Sequence, residues 1–372
     1  MSGAKVFINA FSAKMGGGQT YIKNLLDNLN DNIAKVYIVC PDITLLPDDE
    51  RVVYIKSDFA NKNIINRALW EMFYLPFFVN KIGIDVLFVP GGMDFTLSTF
   101  GVKKVTMFRN MLPFDKIALN SLPSKTIKFK NFILKHLMLR TMNSANHIIY
   151  ISNYAKKSIE KSLEGTSSSV IYHGIAKNFL PNILDGSEND DYILYVSRFE
   201  PYKNHLNLII AYNMLGDELK RKHKLMIIGE KISPVYEQCL DYIEKYDLHD
   251  NVDILGKVSY DDLPIYYMKS KLFVFPSSCE NCPNIILEAL GCGAPIVASQ
   301  RDPMPEFAKQ AGVYFDESSP EAIKLVLENL LTDESKIKKM KNLSFEIRND
   351  YLWEKTATLT WNCLANIGDE NV

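Results

Sequence analysis

The sequence predicts an α/β fold made of two domains, each built on a doubly wound parallel sheet. Short apolar runs alternate with segments of helical periodicity, which is the pattern of such sheets. A polar segment of low helix and strand propensity, 181–191, interrupts the alternation, which then restarts. The chain has 372 residues, more than one hydrophobic core usually holds. Two domains of ordinary size are therefore expected.

The predicted strands are short, rich in β-branched and aromatic residues, and bounded by turn residues. In the first domain they are 4–10, 35–40, 52–55, 85–89, 103–108 and 147–151. In the second domain they are 192–196, 224–228, 252–255, 272–275 and 295–298. A last helix, 350–368, contains Trp353 and Trp361.

Composition excludes several classes of function. Lys plus Arg number 42 against 44 Asp plus Glu, so no global charge favours nucleic acid. No apolar run approaches the roughly 18 residues of a membrane span, and the N-terminus lacks the shape of a signal peptide. We therefore expect a cytoplasmic protein. Six cysteines without framework spacing indicate reduced thiols, and Cys279-x2-Cys282 has no second pair that would complete a metal site.

A glycine cluster, 16–18, lies between the first strand and a helix with an apolar stripe. Glycine lets the backbone approach a phosphate closely, so Gly17 and Gly18 are candidates for a dinucleotide loop. The third glycine of the G-x-G-x-x-G pattern is missing, however. A tight structural turn and a loop that faces a substrate remain as alternatives.

Arg198 and Lys203 come directly after the strand 192–196. Cations at that edge of a parallel sheet point toward the crevice where ligands of open α/β sheets bind. They are candidates for binding a phosphorylated ligand, and the alternative is a pair of solvated surface cations.

The stretch 279–288 places Glu280 and Glu288 eight positions apart around a predicted helix start. Pro283 suits the first turn of a helix, so Glu280 is expected in the loop and Glu288 on the helix. Carboxylates repel phosphate, so the expected partners of both acids are sugar or ribose hydroxyl groups. The alternative for Glu288 is an exposed helix acid.

This spacing resembles the E-x7-E motif of retaining glycosyltransferases of family 4, which have the two-domain GT-B fold. The segment from Tyr192 to Phe315 follows the order of that family's motifs. These motifs correspond to YILYVSRFEPYKN at 192–204, NVDILGKV at 251–258, and the segments 262–264, 288–299, 305–306 and 311–312. The first half of the chain matches more loosely.

The resemblance implies a fold and its boundaries. Two Rossmann-like domains would face an inter-domain cleft, with 1–180 on the acceptor side and 181–349 binding the nucleotide sugar. The helix 350–368 would cross back to the first domain.

The resemblance also implies roles for single residues. Gly17 and Gly18 would face the donor diphosphate, and Arg198 and Lys203 would neutralise it. Glu280 would hold hydroxyls of the donor sugar, and Glu288 would hold those of the ribose.

Two places depart from the family's pattern. Backbone amides near Asn284 and Ile285 would cap a phosphate, but Asn-Cys-Pro at 281–283 replaces the family's usual Gly-Phe-Gly and removes one amide donor. Arg109 and Asn110 stand where the family has a histidine, so they either replace its sugar contact or only shape the loop.

The expected reaction is therefore transfer of a sugar, with retention and without a metal or other cofactor, from a nucleoside-diphosphate sugar. The acceptor would be a glycan or a lipid-linked glycan in bacterial surface polysaccharide synthesis. A nucleotide-sugar epimerase of the same fold and a non-catalytic partner subunit are the alternatives.

The segment 125–140 alternates cations with large apolar residues. It is either an ordinary core-facing helix with a basic rim or a contact with an anionic membrane surface. In the second case the protein would be peripheral at the inner face of the cell membrane.

Overall fold

The computed structural model describes residues 3–14, 16–163, 165–181 and 191–369. Most of the predicted polar segment, 182–190, lies outside the described residues. The chain forms two compact units. Unit 1 comprises the described residues within Met1–Phe114, Ser124–Gly174 and Leu352–Val372, and unit 2 comprises those within Asp115–Pro123 and Ile175–Tyr351. The short segment 115–123 thus belongs to unit 2, although the residues on both sides of it in the sequence belong to unit 1.

Each unit contains one parallel sheet. The strands of unit 1 are β1 (Ala4–Asn9), β2 (Ile33–Val39), β3 (Val52–Tyr54), β4 (Val86–Val89), β5 (Lys103–Phe108), β6 (His147–Tyr150) and β7 (Ser167–Val170). Those of unit 2 are β8 (Tyr192–Val196), β9 (Lys224–Ile228), β10 (Val252–Gly256), β11 (Leu272–Phe275), β12 (Ile296–Ser299) and β13 (Gly312–Phe315). The strand orders are β3-β2-β1-β4-β5-β6-β7 and β10-β9-β8-β11-β12-β13. Every predicted strand is present, so the doubly wound α/β prediction is confirmed.

Helices connect the strands. They are α1 (Gly17–Asp27), α2 (Asp58–Asn61), α3 (Ile64–Leu69), α4 (Leu75–Lys81), α5 (Lys116–Ser121), α6 (Lys125–Asn143), α7 (Asn153–Ile159), α8 (His205–Asn213), α9 (Asp217–Lys222), α10 (Val235–Lys245), α11 (Leu263–Lys269), α12 (Asn284–Gly291), α13 (Met304–Ala308), α14 (Pro320–Leu331), α15 (Glu334–Ile347) and α16 (Trp353–Asp369). A π-helical turn, Trp70–Tyr74, joins α3 to α4. None of the described helices combines the length and the apolar character that crossing a bilayer requires.

The last helix, α16, is part of unit 1. Trp361 is fully buried, and its indole N–H donates to the carbonyl of Leu25 at the end of α1 (3.0 Å). Trp353 packs its ring against Tyr21, at 5.7 Å between centroids. Large aromatic side chains dominate the burial of apolar area, so α16 completes the core of unit 1.

Candidate functional site

The candidate site of unit 2 lies where its strand order reverses. Strands β8 and β11 are neighbours in the sheet but not in sequence. Connections leave such a pair in opposite directions, which opens a crevice at the carboxyl ends of the two strands. Arg198 and Lys203 follow β8, and Glu280 follows β11. The fold therefore brings these three predicted residues to one edge of the sheet.

Two hydrogen bonds join the loops that follow β8 and β11, and a third fixes the β8 loop to its own strand. The Asn204 amide donates to the carbonyl of Pro276 (2.8 Å), and the backbone N–H of Ser278 donates to the carbonyl of Tyr202 (2.8 Å). The buried Tyr195 hydroxyl donates to the carbonyl of Lys203 (2.5 Å). Asn204 has φ 54°, a left-handed conformation that asparagine tolerates better than most residues. The backbone around Lys203 is therefore fixed from both sides.

A third loop, after β9, approaches the β8 loop closely. At Gly229, an added Cβ would lie 1.7 Å from the carbonyl oxygen of Ser197. No side chain fits at that distance, so glycine is required here for contact between the loops rather than for an unusual backbone angle.

Lys203 and Glu280 form an ion pair across the two loops. Their side chains are only 11% and 15% exposed. The Ser277 hydroxyl donates to the same carboxylate oxygen (2.7 Å). The ammonium of Lys203 also lies over the rings of Tyr202 (5.4 Å) and Phe275 (5.5 Å). Lys203 is thus a desolvated cation in an aromatic setting, where its electrostatic interactions are stronger than in water.

Arg198 is in a different environment. Its side chain is 56% exposed, and its Nε lies 2.9 Å from a carboxylate oxygen of Glu230. Glu200 is more distant, at 3.6 Å from Nη1. Such exposed pairs are weak, so the guanidinium can exchange these carboxylates for a phosphate at little cost.

Glu280 lies in the loop and Glu288 on α12, as predicted. Glu288 is partly exposed and accepts hydrogen bonds from the hydroxyls of Tyr267 (3.1 Å) and Tyr260 (3.2 Å). Loss of hydration raises the pKa of Glu288 to about 7, although the two tyrosine hydroxyls favour its ionised form. The carboxylate is therefore held in one orientation and changes charge near neutral pH.

Helix α12 begins one residue later than predicted, with Pro283 as its N-cap. The backbone N–H of Asn284 donates to the carbonyl of Cys282 (2.9 Å), and that of Ile286 donates to the carbonyl of Pro283 (2.8 Å). Among the described residues, no side chain caps this helix start. The two amides named from the sequence thus differ: that of Asn284 has a backbone partner, and Ile285 is the stronger candidate for a phosphate contact.

The glycine cluster of unit 1 forms the start of α1. Gly16 has φ 61°, and the carbonyl of Gly17 accepts a hydrogen bond from Nη2 of Arg109 (2.7 Å). The Arg109 guanidinium also lies 5.2 Å from the centre of the Tyr21 ring. Arg109 therefore stabilises the glycine turn at the start of α1.

Asn110 and Gly18 both have local structural contacts. Asn110 accepts a hydrogen bond from the backbone N–H of Leu112 (3.2 Å), which closes a loop turn. At Gly18, an added Cβ would lie 3.2 Å from Cα of Ala13, which is tighter than ordinary packing. The glycine at position 18 therefore permits the first turn of α1 to pack against the loop before it.

Several side chains of the unit 2 site were not predicted. Ser277, Tyr260 and Tyr267 contact the two acids, and Glu230 pairs with Arg198. The position of Ser277 directly after a buried strand was an available signal. The tyrosines come from the loop before α11 and from α11 itself, so only the tertiary fold reveals their contact. In the described ranges, no group of three or more His, Cys, Asp or Glu side chains is arranged to hold a metal.

Two family models match the chain. "Glycosyltransferase Family 4" matches residues 15–179, and "Glycosyl transferases group 1" matches residues 177–347. HepE from Anabaena, solved in complex with UDP and glucose, superposes with a TM-score of 0.70 at 16% identity, covering 97% of this chain and 99% of that one. The fold is GT-B. This confirms the fold class expected from the sequence.

Curated relatives are also glycosyltransferases. The serotype-specific mannosyltransferase WbdA of Escherichia coli is 33% identical over 172 residues, 46% of this chain. The chain spans only about a fifth (21%) of the length of WbdA. The O-antigen chain mannosyltransferase B of Escherichia coli is 24% identical over 265 residues, which cover 68% of this chain and 69% of the relative.

Proposed function

We propose that this GT-B protein transfers a sugar from a nucleoside-diphosphate sugar to a glycan or lipid-linked acceptor, with retention at the anomeric carbon. The observation that carries the proposal is the convergence of Arg198, Lys203 and Glu280 at the β8–β11 edge, with Glu288 on the helix that follows. The UDP bound to HepE and the O-antigen role of one relative support the donor class and the surface-polysaccharide setting.

The residues have separate tasks in this reaction. The acceptor hydroxyl oxygen forms a bond to the anomeric carbon while the bond from that carbon to the diphosphate oxygen breaks. The hydroxyl proton passes to the departing diphosphate, on the same face of the sugar. Arg198 and Lys203 stabilise the negative charge that develops on the leaving group. Glu280 binds sugar hydroxyls, and Glu288 binds the ribose.

No divalent ion is needed in this scheme, because two cationic side chains already neutralise the diphosphate. Transfer should therefore continue in excess chelator. A requirement for magnesium or manganese in the chemical step would contradict the proposed role of the cations.

A donor screen tests the function. Calorimetry with nucleoside diphosphates of each base comes first, followed by transfer of the matching sugars to polyprenyl-diphosphate-linked acceptors. Product stereochemistry from the anomeric NMR coupling tests retention. An epimerised nucleotide sugar formed without acceptor would support the epimerase alternative instead. Nucleotide binding without turnover on any acceptor would support a non-catalytic subunit.

We also propose that α6 contributes to membrane attachment. Its Phe129, Phe132 and Ile133 side chains are exposed, while Asn131 is buried. The second half of α6 faces the core through Met138 and Met142, so these exposed apolar side chains belong to its first half. Apolar side chains interspersed with lysines favour an anionic lipid surface.

A matched pair of triple variants tests the role of α6. Replacing Lys128, Lys130 and Lys135 by Ser should weaken binding to phosphatidylglycerol vesicles, most strongly at low salt. The control replaces Lys336, Lys338 and Lys339 of α15 by Ser, which removes the same charge from unit 2. Equal losses in the two variants would show that only total charge matters.

A further inference from the structure

The outer side of α3, the π-helical turn and α4 exposes a row of large apolar side chains. Ile65 is 68% exposed, Phe73 63% and Phe77 65%. The remaining members of the row are also exposed; they are Ile64, Leu69 and Tyr74. Helices of soluble proteins bury such a stripe and turn polar residues outward. Contiguous apolar surface of this kind marks a site of interaction.

The inner side of the same helices is occupied by a buried polar network. Glu71 is inaccessible to solvent and accepts hydrogen bonds from Nε of Arg67 (2.7 Å), the amide of Asn9 (2.8 Å) and the backbone N–H of Phe95 (2.8 Å). Rotating the helix to bury its apolar row would expose or break these charged contacts. Breaking a buried ion pair is strongly unfavourable, so the apolar row is held outward.

The apolar surface continues onto the loop after β4. The rings of Phe100 and Phe77 are 5.1 Å apart, and the Asn80 amide donates to the carbonyl of Phe100 (3.2 Å). Leu97 in the same loop is 63% exposed. At 1.5 Å per helical residue, the row from Ile64 to Phe77 is about 20 Å long. We call this row, with Leu97 and Phe100, the apolar face.

Charge around the apolar face indicates its partner. In the fully described stretch from Lys56 to Lys81, the exposed charged side chains are those of Lys56, Asp58, Lys62 and Lys81, and Lys56 pairs with Asp58 (3.0 Å). The other acid of the stretch, Glu71, is buried, so the exposed charge is net positive, with Lys62 and Lys81 near the two ends of the row. A second copy packed two-fold on this face would bring lysines close to lysines. An anionic lipid surface would instead complement both ends and accept the aromatic rings between them.

We propose that the apolar face inserts into the headgroup and acyl boundary of an anionic bilayer. Insertion would anchor unit 1 independently of the lysines of α6, which would supply only long-range attraction. The purpose of this lipid contact rests on the proposed function, because the contact would bring the enzyme to a lipid-linked acceptor. The binding itself needs no donor or acceptor.

The test compares the parent with the double variant Phe73→Ser/Phe77→Ser on vesicles of phosphatidylglycerol and phosphatidylethanolamine. Partition into vesicles should fall at least about tenfold, because two large apolar side chains are lost from the lipid contact. Raising the salt from about 0.1 M to about 1 M shortens the Debye length from about 10 Å to about 3 Å. Binding of the parent should therefore retain a salt-resistant part that the double variant lacks.

The matched control is Leu240→Ser/Leu325→Ser, which removes two exposed apolar side chains from unit 2. It should partition like the parent. Both variants are checked for the parent's circular dichroism and melting temperature. If the folded Phe73/Phe77 variant partitions like the parent, the proposal is wrong.

Two further measurements separate the remaining outcomes. Sedimentation velocity without vesicles would reveal a dimer of the parent, and a dimer abolished by the Phe73/Phe77 substitutions would assign the face to a second copy instead. Transfer to a short water-soluble acceptor should be equal in parent and variant. Loss of lipid binding by the variant, with intact transfer, would support the lipid contact of the apolar face. Absent transfer in the parent would contradict the proposed function alone.

Discussion

Replacing Lys203 and Arg198 by alanine, one at a time, should give two different results although both cations are proposed to act on the leaving group. Lys203 is largely buried and paired with Glu280, whereas the Arg198 side chain is 56% exposed. Both variants should lower turnover by about a hundredfold or more, the scale of losing one donor to a developing charge. Only Lys203→Ala should also lower the stability of unit 2.

The difference in stability follows from what each substitution leaves behind. Without Lys203, Glu280 keeps the Ser277 hydroxyl but loses its charged partner, which costs about 2 kcal/mol. In a unit of this size, each kcal/mol shifts the melting temperature by about 2–4 °C, so a decrease of roughly 4–8 °C is expected. Arg198 makes only exposed ion pairs, and its loss should change stability by less than about 1 kcal/mol.

Initial rates at saturating donor and scanning calorimetry of the same preparations measure the two quantities. Arg221→Ala, an exposed arginine on α9, is the control and should leave both unchanged. Near-parent turnover in both variants would refute the leaving-group role. An unchanged melting temperature for Lys203→Ala would show that the ion pair contributes nothing to stability.

Three further results are expected. Affinity for the nucleoside diphosphate should fall as the pH drops from 8 to 6. The reason is that Glu288, with a pKa of about 7, takes up a proton and becomes a weaker acceptor for ribose hydroxyls. Calorimetry of parent and Glu288→Gln at each pH isolates this effect from titration of the phosphate. Glu280→Gln should spare nucleotide affinity and reduce transfer, and equal affinity losses in the two Gln variants would mean that the roles are wrongly divided. Gly229→Ala should destabilise the protein by about 1–3 kcal/mol, because its Cβ overlaps the carbonyl of Ser197, and an unchanged midpoint of urea unfolding would contradict this.

The sequence alone predicted most strands of both sheets, because the central strands are buried on both faces and consist of nearly continuous apolar runs. The strand predictions for β5, β8, β9 and β11 match the structure to the residue. Two edge strands were missed. β7 has the sequence SSSV, which lacks the apolar pattern of a buried strand, and β13 begins at a glycine. Edge strands need less burial, so their sequences carry less signal.

The sequence was enough to place some residues of the candidate site, but not their contacts and not the neighbouring side chains of Ser277, Tyr260, Tyr267 and Glu230. Position after a strand was enough to place Arg198, Lys203 and Glu280 at one edge of the sheet. The pairing of Lys203 with Glu280 joins residues 77 positions apart, and the side-chain packing that selects it is not encoded locally. The outward orientation of the apolar side of α3 and α4 could not be predicted either, because a helical apolar pattern alone does not tell which side is buried.

The return of α16 to unit 1 has a consequence for synthesis on the ribosome. Unit 2 is complete in the nascent chain once Tyr351 has emerged, but unit 1 still lacks the helix that buries Trp361. At about 5–20 residues per second, the sheet of unit 1 waits roughly ten to forty seconds for that helix while unit 2 is translated. The unit encoded second can therefore fold first, and during this interval the incomplete core of unit 1 is the part of the nascent chain most in need of a chaperone.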